Sequence, residues 1–203
     1  MSYATPPETA IISSTVDALT ANGITVHRAA TGSEAKAKLL EIIPEQAEVM
    51  TMTSATVDSI GAAEILNDQA KYRAVRPQLM ALNPENDGLA MLKLGAAPEW
   101  AVGSVHAITQ QGEVVVASAT GSQLPAYAYG ASKLVWVVGS QKITKDLTDA
   151  MRRINEYVLP LESERARKAY GVAGSSVNKV LIFHREVTPN RLHIILVDEA
   201  LGF

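Results

Sequence analysis

Along the chain, segments with apolar residues at helical spacing alternate with short apolar runs of strand length. Over residues 8–21, Ile11, Ile12, Val16 and Leu19 recur on one helical face, with Pro6 and Pro7 ahead of them and Asn22-Gly23 as a stop. Residues 24–28 alternate like a strand, and Thr31-Gly32-Ser33 leads into EAKAKLLEIIP, a helix with Ser33 as cap and Pro44 as terminator. The next strand falls at 48–53 and the next helix at 54–66, capped by Ser54 or Thr56. Residues 67–99 mix helical runs with proline and Asn-Asp-Gly turn signals, and the pattern assigns no element there.

Beyond that stretch the pattern predicts strands at 100–108 and 113–117, a short helix at 124–131 and a strand at 134–138. VWVV in the last of these is apolar on both sides, as a strand in the middle of a covered sheet must be. Thr144 then opens a long helix through Tyr157, with Met151, Ile154 and Val158 on one face, Arg152, Arg153 and Glu156 on another, and Pro160 ending it. A charged helix at 162–170 stops at Gly171, and runs at 177–183 and 192–197 around Pro189-Asn190 read as a terminal hairpin. The expected fold is α/β: one domain over 1–203, an open, mostly parallel sheet with helices on both faces, and a C-terminal β-hairpin. Such sheets bind ligands beyond the carboxyl ends of their strands.

Composition narrows the functions this fold can carry. With 203 residues, 47% of them hydrophobic and 19% charged, the chain has material for one well-buried core. A formal charge of -3 gives no basic footprint for nucleic acid. There is no cysteine, which excludes disulfides, thiolate catalysis and Cys-held iron–sulfur or zinc centres, so any electron carrier must come from elsewhere. No basic leader precedes an apolar block, and no run approaches the roughly 18 apolar residues of a spanning helix; the expectation is a cytoplasmic protein with no membrane contact.

The candidate chemistry concentrates in residues 101–142, where polar and glycine-rich turns interrupt three apolar runs. Thr120, Gly121, Ser122 and Gln123, after Ser118, run from a strand end into a helix and have the makings of an anion cradle; the plainer reading is a turn whose hydroxyls cap that helix. Ser104 with His106, and Thr109 to Glu113 around a hairpin-like Gln111-Gly112, form two polar elements that can face this cradle. His106 or Glu113 is a candidate acid–base group, set against the plainer reading of a strand histidine beside a solvated turn. Gly139, Ser140 and Lys142 follow VWVV and offer N–H donors with one cation, or a capped helix start with a solvated lysine. Arg152, Arg153, Glu162, Arg165 and Arg167 read as surface ion pairs between helices. His27, His184 and His193 lack metal-ligand spacing, and no Walker lysine or dinucleotide fingerprint points to a cofactor.

Four blocks carry a family likeness: VGSVHAITQQGEVVVASATGSQLPAYAYGA, VWVVGSQKI, RRINEYVLPLESERARKAYG and KVLIFHREVTPNRLHIILVDEALGF. Together they resemble the LUD, or lactate-utilisation, domain family over nearly the whole chain, most specifically from Val102 onward. The resemblance implies a sheet like that of the ribose-phosphate isomerase and CoA-transferase group, and a role in oxidising L-lactate to pyruvate beside iron–sulfur partners. It supplies no catalytic residue to carry over. A transferase of that group would use a glutamate nucleophile; Glu113 is the nearest candidate, but QQGEVVV lacks the expected glycine-rich context. An isomerase would draw on His106 or Glu113 with the Ser122 and Lys142 turns.

Three readings follow from the residues and the resemblance. The first is a binder of a small anionic metabolite, with Ser104, Thr120, Gly121, Ser122, Gln123, Gly139, Ser140 and Lys142 as ligand groups. The second is a non-catalytic partner of an iron–sulfur oxidoreductase, or a homo-oligomer, contacting through residues 152–170 or the hairpin. The third is an isomerase or acyl transferase of the same fold group.

Overall fold

The computed structural model describes residues 3–203. Its strands in chain order are β1 (Thr25–Ala29), β2 (Glu48–Thr51), β3 (Arg73–Ala74), β4 (Trp100–Gly103), β5 (Ala107–Thr109), β6 (Val114–Ser118), β7 (Lys133–Gly139), β8 (Ile143–Thr144), β9 (Lys179–Phe183) and β10 (Leu192–Val197). The α-helices are α1 (Thr9–Ala21), α2 (Gly32–Ile42), α3 (Ala55–Ser59), α4 (Ala62–Leu66), α5 (Val75–Met80), α6 (Pro84–Ala96), α7 (Leu147–Arg153) and α8 (Leu159–Tyr170). Six strands form a parallel sheet in the order β1-β10-β7-β4-β2-β3, so all their carboxyl ends lie along one edge. The other four form a mixed sheet, β8-β5-β6-β9.

Strand β7 shows how the pattern becomes packing. Its side chains alternate: Leu134, Trp136 and Val138 point into the layer shared with α1 and the second sheet, while Val135 and Val137 point into the layer under α2, α3 and α4. The outer face of the second sheet, Ala107, Val115 and Ala117, is closed by Ala150 and Ile154 from α7 and the turn after it. The α/β class and the mostly parallel sheet expected from the sequence are present, with the second sheet as an added layer on one face.

The terminal hairpin does not form, because its two strands enter different sheets. β10 is apolar on both sides, with Ile194 and Leu196 in one core layer and Ile195 and Val197 in the other, so it takes a place inside the parallel sheet between β1 and β7. β9 leaves Val180 and Ile182 partly exposed and pairs antiparallel with β6 at an edge. Arg191 anchors the crossing between them through a buried ion pair to Glu186 at 2.7 Å and bonds to the carbonyls of Ala131 and Tyr127.

Other boundaries shift for local reasons. The run at 100–108 splits into β4 and β5, one in each sheet, and residues 104–106 carry the chain across. The helix at 54–66 breaks at Gly61, whose φ of +65° suits glycine. Thr31, not Ser33, caps α2, and Asp146, not Thr144, caps α7; Thr144 lies in β8 and bonds the Ile108 carbonyl. Residues 126–130 form a single π turn in place of a short α-helix. Pro160 does not end the long helix. A π turn at Ile154–Val158, with the Leu159 N–H bonded back to the Ile154 carbonyl, shifts the ladder so that proline falls in the first turn of α8, where its missing N–H costs nothing.

Candidate functional site

At the carboxyl edge of the parallel sheet, β4 ends at Gly103 and β7 at Gly139, and polar side chains from several elements meet there. After Gly139 a 3-10 turn over Ser140–Lys142 leads into β8 and sends Lys142 inward, where it is 2% exposed. Its Nζ donates to Thr56 Oγ1 at 2.9 Å, Ser104 Oγ at 3.1 Å and the Val105 carbonyl at 3.1 Å. Ser104 is itself pinned by donating to the Val137 carbonyl at 2.7 Å, and Thr56 sits in the first turn of α3, which Ser54 caps. Gly103 has to be glycine, because a Cβ there would overlap the Tyr127 hydroxyl and crowd Met52.

Arg153 reaches the neighbouring peptide from the other side. Its Nη1 donates to the His106 carbonyl, next in sequence to the Val105 carbonyl that Lys142 uses. The guanidinium is fully buried against the rings of Tyr3 and Tyr157, and its Nε and Nη2 have no hydrogen-bond partner among the described residues. Among those residues, no carboxylate hydrogen-bonds or ion-pairs with Lys142 or Arg153. A buried cation without a counter-ion is costly, and the cost is relieved when an anion arrives. Burial, then the Arg153 charge, pulls the Lys142 pKa down to about 7, and burial brings Arg153 to about 10.

His106 borders this nucleus. Its Nδ1 accepts from the Ala117 N–H at 3.1 Å, and burial, followed by the charges of Lys142 and Arg153, holds its pKa at about 3. The ring is therefore neutral at physiological pH, with its Nδ1 lone pair committed to a backbone donor.

A strap closes the edge. Gln141 donates from Nε2 to the Leu201 carbonyl at 2.9 Å and accepts the Leu201 N–H on Oε1 at 3.3 Å. Thr56 Oγ1 also donates to the Leu201 carbonyl, at 3.3 Å, and Glu199 Oε2 accepts the Gly32 N–H at 2.8 Å. The backbone of 199–201 comes so near Gly139 that a Cβ there would overlap it, and Gly202 lies against Thr56 in the same way. Two surface clefts, of about 810 and 520 Å³, lie elsewhere, around residues 182–191, and Lys142 lines neither.

Of the residues singled out in the sequence, Ser104, Gly139, Ser140 and Lys142 come together here, with His106 beside them. Ser140 Oγ is buried with no hydrogen-bond partner among the described residues. Thr120, Gly121, Ser122 and Gln123 form a separate turn at the end of β6. There Ser118 Oγ accepts the Gly121 N–H and donates to Gln123 Oε1, Thr120 Oγ1 accepts the Ser122 N–H, and Lys179 holds the Thr120 carbonyl. Glu113 stands at the far end of the β5–β6 hairpin, bonded to Thr109 and at 2.9 Å from His184. Sequence reasoning does not bring Thr56, Arg153 or the strap to the site. Arg153 lies next to the exposed Arg152 and carries no separate signal, and the strap is distant in sequence.

The fold is thus a parallel α/β sheet whose carboxyl edge carries two buried cations, Lys142 and Arg153, that no carboxylate among the described residues hydrogen-bonds. The LUD domain family model matches residues 12–197, and the chain belongs to that family. No curated protein matches it. The chain is similar in fold to a crystal structure of a DUF162 family protein from Deinococcus radiodurans, at 12% identity and a TM-score of 0.57, over 97% of this chain and 99% of that one.

Proposed function

We propose that this LUD-domain protein binds a small anionic metabolite at the carboxyl edge of its parallel sheet and serves organic-acid utilisation, with L-lactate and related acids as the first ligands to test. The observation that carries this reading is Lys142, a buried cation held by hydroxyls and a carbonyl, with no carboxylate among the described residues bonded to it. Ser104, Thr56, Gly139 and Ser140 shape the site around it, and an incoming anion supplies the missing charge. The Thr120–Gln123 turn and Glu113 take no part in this nucleus.

Thermal unfolding against lactate, other hydroxy acids, sugar phosphates and CoA esters tests the reading. A ligand at 100 times its dissociation constant adds about 2.7 kcal/mol, which raises the midpoint by roughly 5 to 10 °C for a chain of this size. Lys142→Met is expected to abolish the shift and Ser122→Ala to leave it intact; the reverse pattern places the ligand at the β6 turn instead.

A second reading, a partner subunit beside a separate iron–sulfur oxidoreductase, draws support from α6. None of its residues is buried, and Leu89 and Leu92 are 66% and 70% exposed. Co-purification of a cluster-bearing protein, lost on Leu89→Glu with Leu92→Glu, supports it; no small-molecule shift together with such capture replaces the first reading.

A further inference from the structure

We infer that Lys142 is an imine-forming lysine, and that the metabolite class of this site is the 2-oxo acid. This rests on the carboxyl-edge reading above and extends it from holding an anion to a covalent step.

Four observations carry the inference. The nitrogen ends a side chain enclosed on all sides, so it is shielded from bulk water, the condition under which an imine survives hydrolysis. No carboxylate among the described residues holds it as a permanent ammonium, and its depressed pKa leaves a large share of free amine near neutrality. Two hydroxyls, Thr56 Oγ1 and Ser104 Oγ, lie within hydrogen-bond distance of Nζ: Ser104, bonded to the Val137 carbonyl, orients the nitrogen, and Thr56, released when Leu201 moves, can pass a proton between nitrogen and the oxygen of a carbonyl compound. The second cation, Arg153, bonds the adjacent peptide carbonyl and has two buried N–H groups without hydrogen-bond partners among the described residues, a charge suited to a carboxylate beside the reacting carbonyl.

The step balances without another reactant. The lysine nitrogen, one of its protons having passed through the Thr56 hydroxyl to the keto oxygen, attacks the keto carbon. The carbon–oxygen bond then breaks, and oxygen leaves as water with two of the three protons of the original ammonium. The product is a protonated imine, so the positive charge at Nζ is retained. The Leu201-Gly202 segment has to move aside for the acid to enter, since Leu201 accepts from Thr56 and is gripped by Gln141.

Trapping tests this directly. The full chain is incubated with pyruvate and cyanoborohydride, then analysed by intact mass and peptide mapping, with pyruvate binding followed separately by thermal shift. Expected is one adduct, of the mass of pyruvic acid less one oxygen atom, on Lys142. It is suppressed by excess L-lactate, which has no keto carbon, and is absent in Lys142→Arg. Melting shows whether that variant folds, and the lactate competition on the unaltered chain stands if it does not. Pyruvate binding without an adduct on Lys142, or adducts spread over surface lysines and indifferent to lactate, overturns the imine while leaving the anion site intact. Neither binding nor adduct for any 2-oxo acid, and no shift with other anions, overturns both.

Discussion

At Lys142, function and stability pull in opposite directions, and pH separates them. Its pKa is about 7 in the fold against the ordinary lysine value of 10.5, so between these limits the unfolded chain binds the extra proton. The stability it contributes is complete above pH 10.5 and is lost as pH falls toward 7, at up to about 1.4 kcal/mol per unit. The expected outcome is that Lys142→Met gains most relative to the natural chain at about pH 7 and below, the advantage shrinking toward pH 10.5. Paired melting curves across that range check it, and a constant difference means that the lysine has an ordinary pKa. His106 acts lower on the scale. Its folded value of about 3 lies below 6.5, so its contribution is full above 6.5 and lost as pH falls from there to 3. His27 and His193, hydrogen-bonded at 3.2 Å with both pKa values lowered, act in the same direction. His106→Phe is expected to flatten the acid limb of the stability profile between about pH 6 and 4, where chemical unfolding reads it.

At the scale of elements, local chemistry explains what the sequence shows and what it hides. β7 is legible because an apolar run covered on both faces has no other home, and the Gly139-Ser140-Lys142 turn is legible because it follows that run. The β4–β5 break is not legible: Ala101 to Ile108 is apolar enough for one strand, and only the partners in two sheets reveal the crossing. The same limit hides the parting of β9 and β10, since neighbouring strands in sequence usually pair, and hides Arg153, whose burial depends on Tyr3 from the other end of the chain. Half of the ligand residues expected from the turns converge because strand ends converge; the Thr120–Gln123 turn belongs to the other sheet. The β4 end gives a sharp test. Gly103→Ala places a methyl on the Tyr127 hydroxyl, and overpacking of this kind costs about 1–3 kcal/mol. Tyr127→Phe removes the struck oxygen, so the double variant is expected to recover part of the loss. A double-mutant cycle by urea denaturation measures that coupling, and simple additivity rules out the contact as the cause.

At the scale of the whole molecule, the site depends on a segment far from it in sequence. Residues 199–202 leave β10, the last strand of the parallel sheet, and fold back over the ends of β7 and α3, so the element that completes the sheet also shuts its carboxyl edge. The closed form satisfies Gln141 and Thr56 internally, and an entering ligand has to compete with those bonds. If the open form is only a small fraction of the population, the apparent dissociation constant is raised by the inverse of that fraction. Gln141→Ala removes both ends of the grip on Leu201 while leaving Lys142 and its three acceptors in place. The expected result is faster amide exchange at Leu201 and Gly202, no change in the β7 and β10 amides, and tighter apparent binding of the same anion. Unchanged exchange at Leu201 means that the Thr56 bond to the Leu201 carbonyl, the bond from Gly32 to Glu199 and the packing of Leu201 hold the strap without Gln141. Faster exchange with unchanged affinity overturns the strap as the ligand's way in.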